Sequence, residues 1–276
     1  MKQIQMTNTP SFSLISTKKI IQMNDVSTSY DSKNFALDHI NLSIDRGTNY
    51  AIVGQSGSGK STLLKLMNGM MIPSNGTIKI DYMTPNMNEK KFKKMMHTIG
   101  YIPQNLGLVK NLTVLENVII GCLPRLSKIQ SMFKKFPENE VSEAKKIIKQ
   151  VGLSGKEDRK AYMLSGGEKR RVAIARALMQ KPKILLADEI VSELDHVTAR
   201  EIMDLIADAQ KRINLTAIMV HHDMQLALEY ANRVAVIKEG NKVLEIGVEG
   251  DKIVDFQTGN MTTEEIMEMY SDDTKK

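Results

Sequence analysis

The 276-residue chain is 42% apolar and 25% charged, and its formal net charge of +6 is spread over short patches. That length accommodates one large domain or two modest ones with ample core. The apolar runs are strand-sized, so no segment is expected to span a bilayer, and no secretory signal stands at the N-terminus. Nucleic-acid binding would need a basic stripe with interleaved aromatics or a reading motif, and neither is present. The single cysteine, Cys122, excludes an internal disulfide and fits a reducing cytoplasm. The densest lysine patches, Lys90-Lys91, Lys93-Lys94 and Lys134-Lys135, read as solvated helix faces, with contact to anionic lipid heads as the alternative.

Residues 1–18 are rich in Thr, Ser and Asn without periodicity and read as a loose tail. Ile20 to Val26 reads as a strand, and Tyr30 stands in the polar stretch after it. Ala36 to Ile44 alternates as a half-buried strand should, and Asp45-Arg46-Gly47 turns the chain into the apolar run Tyr50-Ala51-Ile52-Val53. That run feeds Gly54-Gln55-Ser56-Gly57-Ser58-Gly59-Lys60-Ser61-Thr62, and a helix-like run, Leu63 to Met67, follows. The pattern G-x-x-x-x-G-K-[ST] here has the context its mechanism demands, namely strand, tight loop and helix. Glycines let backbone N–H groups close round a phosphate chain, and the helix start adds free N–H groups and a positive dipole end. Lys60 is placed to reach β- and γ-phosphates, and the Ser61 hydroxyl to ligate Mg²⁺. A Gly/Ser-rich surface turn is the competing reading, but it leaves strand, spacing, lysine and helix unexplained together.

Pro73 to Gly76 is a turn, Thr77 to Ile80 a short strand, and a lysine-rich helical piece leads to the strand Thr98 to Ile102, which ends at Pro103-Gln104. Thr113 to Gly121 and Asn139 to Val151 have helical spacing, with a basic irregular stretch from Pro124 to Pro137 between them. Leu164-Ser165-Gly166-Gly167-Glu168 precedes the helical run Arg170 to Met179. Ser165 with Glu168 three residues on is a capping box, yet a cap does not require two glycines, which weaken a first turn. Bare backbone at a helix N-terminus suits close approach to an anion.

The last third alternates strands with helices. Lys183 to Ala187 is an apolar strand ending in Asp188 and Glu189, placed respectively to hold Mg²⁺ and to accept a proton from, or orient, an attacking water. Thr198 to Gln210 is a helix. The strand Thr216 to Val220 ends in His221-His222-Asp223, and period-two alternation leaves open which histidine faces the site. Met224 to Tyr230 reads as a helix and Arg233 to Ile237 as a strand. The fold class is α/β with a mainly parallel sheet, and the helical block of about 105–162 is an inserted subdomain.

Taken in order, the glycine loop, Gln104, Leu164 to Glu168, the Asp188-Glu189 strand end, Ser192-Glu193-Leu194-Asp195 and His222 resemble the motifs of ABC-transporter ATPase subunits over about residues 19–245. The resemblance implies a P-loop NTPase with a RecA-like core, an antiparallel β subdomain and the helical subdomain, followed by a C-terminal extension, 246–276, with a short helix. It implies ATP and Mg²⁺ as ligands, Tyr30 stacking on adenine, Gln104 sensing metal and water, and His222 rather than His221 as the switch histidine. It further implies a head-to-tail dimer with a second copy or a similar chain, in which Ser165, Gly166, Gly167 and Glu168 of one subunit, with Asp195, complete the ATP site of the other. The remaining partners implied are an integral membrane permease and, indirectly, a solute-binding protein, which would put the chain at the cytoplasmic face of the membrane. Within the family the chain resembles the ATPases of phosphonate importers, on Leu112 to Val118, the basic insert, Thr198 to Leu205 and Met261 to Tyr270. An exporter or lipid-extraction ATPase shares the same motifs, and a soluble ABC ATPase with no permease is the third class. Four positions depart from the usual pattern, namely Glu168, Ile190, Glu193 and His196. None removes a catalytic group, but Ile190 and Glu193 bear on the fit of the loop between the two ATP sites.

Overall fold

A computed structural model of the chain describes residues 19–29, 35–86, 89–126, 136–249, 252–255 and 259–266. Tyr30, the tail before residue 19 and most of the basic insert lie outside the described residues. Strands β1 (Lys19–Ser29) and β2 (Phe35–Asp45) are followed by β3 (Asn49–Val53), helix α1 (Lys60–Met67) and strand β4 (Asn75–Ile80). The first, second and fourth strands form an antiparallel sheet in the order β2-β1-β4. The register of β1 against β2 slips between Met23 and Val26, where Asp25 adopts φ 54°. That bulge absorbs the polar pair Asn24-Asp25 and returns Val26 to the core, so the strand runs three residues past the end its apolar run suggests.

The larger sheet contains β3 with β5 (Ile99–Ile102), β6 (Ile184–Asp188), β7 (Thr216–His221), β8 (Arg233–Lys238), β9 (Asn241–Glu249), β10 (Lys252–Asp255) and β11 (Gly259–Met261). Its order is β11-β10-β9-β8-β3-β7-β6-β5. The stretch β8-β3-β7-β6-β5 is parallel, and β9 to β11 continue it as antiparallel strands. Strands β3 and β6 are buried at every residue, as parallel strands covered on both faces must be. Period two sends neighbours to opposite cores: Leu185 and Ala187 enter the core beneath the helical layer, while Ile184 and Leu186 enter the one shared with α1 and the antiparallel sheet.

Further helices among the described residues include α2 (Lys90–Met96), α3 (Val114–Ile119), α4 (Glu138–Gln150), α5 (Gly166–Met179), α6 (His196–Ile213) and α7 (Met224–Tyr230). Helix α3 opens on a capping box between Thr113 and Glu116 and packs against α4 and α5. Its Asn117 is fully buried; the side-chain amide donates to the carbonyls of Val109 (3.1 Å), Leu112 (3.3 Å) and Thr113 (2.9 Å), and its oxygen accepts from Val109 N–H (2.9 Å). One side chain thus gives Val109 N–H its partner and adds a second donor to three carbonyls that backbone N–H groups already reach.

Strand β9 passes through residues 245 and 246 without a break, so the segment after the parallel core belongs to the main sheet. Leu244 and Ile246 face inward with Glu245 between them, the alternation of a half-buried strand. Among the described residues no helix is long and apolar enough to cross a membrane.

Candidate functional site

Helix α1 starts where β3 ends, and the loop between them is shaped by two glycines. Gly59 caps the helix at φ 104°, and a Cβ there would lie 2.4 Å from Ala36 O. A Cβ at Gly54 would lie 2.2 Å from Ile237 O. Neither position admits a side chain. The loop is anchored from within by Ser58 N–H on Gln55 O (3.2 Å) and from outside by Gly240 N–H on Ser58 O (3.0 Å). Lys60 Nζ donates to Gly54 O at 2.8 Å and Gln55 O at 2.6 Å, so the ammonium is held at the loop mouth by backbone carbonyls. Burial lowers its pKa below the ordinary lysine value, against the opposing charges of Glu189 and Asp188. The Ser58 hydroxyl is buried inside the loop with no hydrogen-bond partner.

A cleft of about 430 Å³ opens over this loop, lined by Ser56, Gly57, Gly59, Lys60, Ser61, Thr62, Gln104 and Glu189. The parallel strands deliver its polar groups at their C-terminal ends, where open α/β sheets bind ligands. Asp188 ends β6 and accepts a hydrogen bond from Ser61 Oγ at 3.3 Å. Burial pushes the Asp188 carboxyl above its ordinary value; Ser61 and Lys60 offset part of that, and Glu189 adds to it. Among the described residues no three His, Cys, Asp or Glu side chains gather to hold a metal. Mg²⁺ asks for less, since it takes one or two protein oxygens and completes its shell with phosphate and water. Ser61 and Asp188 fit that demand as hard oxygen donors, with the Gln104 amide oxygen at the cleft edge.

Glu189 follows with φ 49°, a left-handed conformation unusual for glutamate, while its N–H still pairs with Val220 O at 2.9 Å. Its carboxylate accepts from Gln104 Nε2 at 2.7 Å. The arrangement can cradle a triphosphate on backbone N–H groups, meet its charge with Lys60, and set a carboxylate beside an incoming water.

The two histidines fare differently. His221, inside β7, is buried, neither ring nitrogen has a partner, and burial pushes its pKa down to about 4. His222 is exposed. Both line a second cavity of about 400 Å³, with Glu193, Leu194, His196 and Asp223, beside the phosphate cleft rather than in it.

Ser165 and Glu168 form the reciprocal capping box at the start of α5: Glu168 N–H donates to Ser165 Oγ at 3.3 Å and Ser165 N–H to Glu168 Oε2 at 2.7 Å. Lys156 pairs with Glu168 and, with Ser165, holds its carboxyl below the ordinary range. The cap explains why helix geometry starts at Gly166, four residues before the apolar periodicity. Asp195 likewise caps α6 by accepting from Thr198 N–H at 2.9 Å, which starts that helix at His196. Neither this residue nor Ser165, Gly166 and Gly167 lines the cleft over their own chain's glycine loop.

Reading by motif passes over three residues that hold this geometry. Arg176 donates to Leu106 O and Gly107 O, both at 2.6 Å, just beyond Gln104. Arg170 donates to Ile190 O and Ser192 O, both at 2.6 Å, just beyond Glu189. Asn117 is the third. A signal exists for Arg176, a lone charge inside the apolar run Val172 to Met179.

A family model described as ABC transporter matches residues 37–192. The chain is 39% identical over 232 residues to the methionine import ATP-binding protein MetN 2 of Listeria monocytogenes, covering 83% of this chain and 66% of that protein. It is 37% identical over 225 residues to the phosphonates import ATP-binding protein PhnC 2 of a Synechococcus species, covering 81% and 84% respectively. Among solved structures, the dimeric ATP-binding cassette MJ0796 bound to ADP and Pi in a post-hydrolysis state superposes with a TM-score of 0.72 at 32% identity, covering 83% of this chain and 99% of that one. The ADP conformation of MJ1267, a cassette of an ABC transporter, gives 0.71 at 30% identity over 84% and 92%. The chain therefore spans just under two-thirds of the methionine relatives it matches and most of the phosphonate relatives and cassettes. With more than half its residues inside the family match, it belongs to the ABC transporter family.

Proposed function

We propose that the chain is the ATP-hydrolysing subunit of an importer, working as an ATP-sandwich dimer docked on a membrane permease at the cytoplasmic face. The observation that carries this reading is the convergence of Lys60, Ser61, Glu189 and Gln104 on one cleft, with Asp188 bonded to Ser61, over a loop whose Gly54 and Gly59 admit no side chain. Phosphoryl transfer needs positioning and charge stabilisation rather than covalent chemistry from the protein. The loop N–H groups and the start of α1 meet the phosphates, and Lys60 exchanges its carbonyl partners for β- and γ-oxygens. Ser61 and Asp188 would hold Mg²⁺, with Gln104 at the cleft edge, and the ion would supply charge neutralisation to the phosphates. Glu189 accepts the proton of the attacking water, with Gln104 fixing the carboxylate that does so.

The dimer completes this cavity. Ser165, Gly166 and Gly167 present a capped helix N-terminus that lies outside their own cleft, which supports their meeting the nucleotide of a second copy. The dimeric structure of the cassette MJ0796 bound to ADP and Pi supports a dimer.

For cargo, we propose phosphonate or a related phosphorus oxyanion, on the resemblance in Leu112 to Val118 and Thr198 to Leu205. Methionine is the second reading, favoured by the 39% identity to a methionine import protein. Deleting the gene and supplying a phosphonate as sole phosphorus source, or methionine to a methionine auxotroph, separates the two. Loss of growth on phosphonate alone supports the first reading. Loss on methionine alone replaces the cargo but keeps the importer, and unchanged growth in both overturns import of either.

A further inference from the structure

The geometry points to Arg170 as a positioning residue for Glu189, holding from helix α5 the loop on which that carboxylate stands. The inference rests on the ATPase reading above and adds to it a residue outside the lining of the phosphate cleft. The segment after β6 is bracketed by two glutamates in the left-handed region, Glu189 at φ 49° and Glu193 at φ 62°. Such residues are held against their own preference by what surrounds them. Between them Ile190 and Val191 are buried, and Ser192 donates to Glu189 O twice, through its hydroxyl at 2.7 Å and its N–H at 3.1 Å. That turn leaves the carbonyls of Ile190 and Ser192 outside any strand or helix ladder. Arg170 takes both, through Nε on Ile190 O and Nη2 on Ser192 O, each at 2.6 Å. The charge of Glu193 acts on the same guanidinium.

A planar fork holds two carbonyls at a fixed separation and angle; an ammonium, as a point charge on a flexible stem, cannot reproduce that geometry. The carbonyl taken by Nε belongs to the residue directly after Glu189. A shift of that peptide therefore turns the Glu189 backbone and moves its carboxylate relative to Gln104 and the cleft. The phosphate loop lies on β3 and α1, which Arg170 does not touch, so nucleotide binding and catalytic placement are separable.

The test is steady-state MgATP hydrolysis by the full chain and by Arg170→Gln and Arg170→Lys, with MgATP binding and thermal melting measured on each. Misplacing a catalytic group by about 1 Å costs on the order of 10²-fold, so Arg170→Gln is expected to lose about that much kcat while KM and MgATP affinity stay within about 2-fold. Arg170→Lys keeps charge and length and serves if the glutamine variant does not fold; it is expected to melt with the parent and to lose about 10-fold in kcat, since one donation is kept. A lysine variant at the parent's kcat overturns the inference. So does a parallel loss of kcat, MgATP affinity and melting temperature, which is the mark of general damage. A parent chain without MgATP hydrolysis overturns the ATPase reading as well, and that result is distinct from an active parent with unaffected variants.

Discussion

Gln104 Nε2 donates to Glu189 Oε2 at 2.7 Å, joining the end of β5 to the end of β6 across the mouth of the phosphate cleft. Both strands belong to the buried parallel sheet, but the two residues stand on the irregular backbone just beyond it, each secured there by an arginine of α5. Arg176 holds the segment after Gln104, and Arg170 the segment after Glu189. The helix that carries the Ser-Gly-Gly sequence at its start is therefore tied to both sides of the site.

Replacing Glu189 with glutamine preserves size and leaves an oxygen to accept from Gln104, while removing the base. MgATP affinity is expected to be retained and turnover to fall by at least about 10²-fold. A nucleotide-dependent dimer should persist on a sizing column. Hydrolysis at the parent's rate would remove Glu189 from its role.

Ser165→Arg fills the bare helix start with a long cation. Nucleotide binding to the single chain should survive, and ATPase activity is expected to drop by about 10²-fold as a preplaced set of donors is blocked. Loss of the cap itself costs about 1 kcal/mol, so Ser165→Ala serves as the control that removes the cap without the bulk. Undiminished hydrolysis by the arginine variant would falsify the shared-site arrangement.

Asn117→Ala should cost stability rather than chemistry. It strips the partner from Val109 N–H and a second donor from the carbonyls of Val109, Leu112 and Thr113, which keep backbone partners, and is expected to destabilise the chain by about 1–2 kcal/mol. Urea denaturation of parent and variant measures this; equal midpoints would show that water replaces the amide at no cost.

His221 carries a pH dependence with a definite sign. Its native pKa is pushed down to about 4, chiefly by burial, with Asp223 opposing and His222 and Lys60 adding to the depression. Below its ordinary pKa of about 6.5 the unfolded chain takes up a proton that the native chain refuses. The neutral imidazole thus withholds no stability above pH ~6.5, and stability is lost as pH falls from there toward 4. The loss amounts to about 3 kcal/mol at its full extent. Melting curves across that range should be flatter for His221→Val than for the parent, and parallel curves would refute the assignment.

The parallel core was legible because its strands are buried on both faces and write themselves as unbroken apolar runs, as at Tyr50 to Val53 and Lys183 to Ala187. The cap at Ser165 was legible because its chemistry is local, a hydroxyl and a carboxylate three residues apart. Reading by motif passes over strand β9, although Leu244, Ile246 and Val248 alternate with Glu245 and Glu249 as a half-buried strand should; its antiparallel place beside β8 is set by pairing, which no local pattern records. Nor could alternation choose between His221 and His222; burial puts the first inside the sheet and leaves the second outside it. Arg170 escaped because its partners are carbonyls, which carry no residue identity and leave no trace in sequence.

The left-handed backbone of Glu189 has an engineering corollary. Glycine populates that conformation freely, and strain at such positions is worth about 1–3 kcal/mol. A bulky acid nevertheless stands where the smallest residue would sit more comfortably. Glu189→Gly should accordingly give a chain that hydrolyses little MgATP yet outlasts the parent on heating.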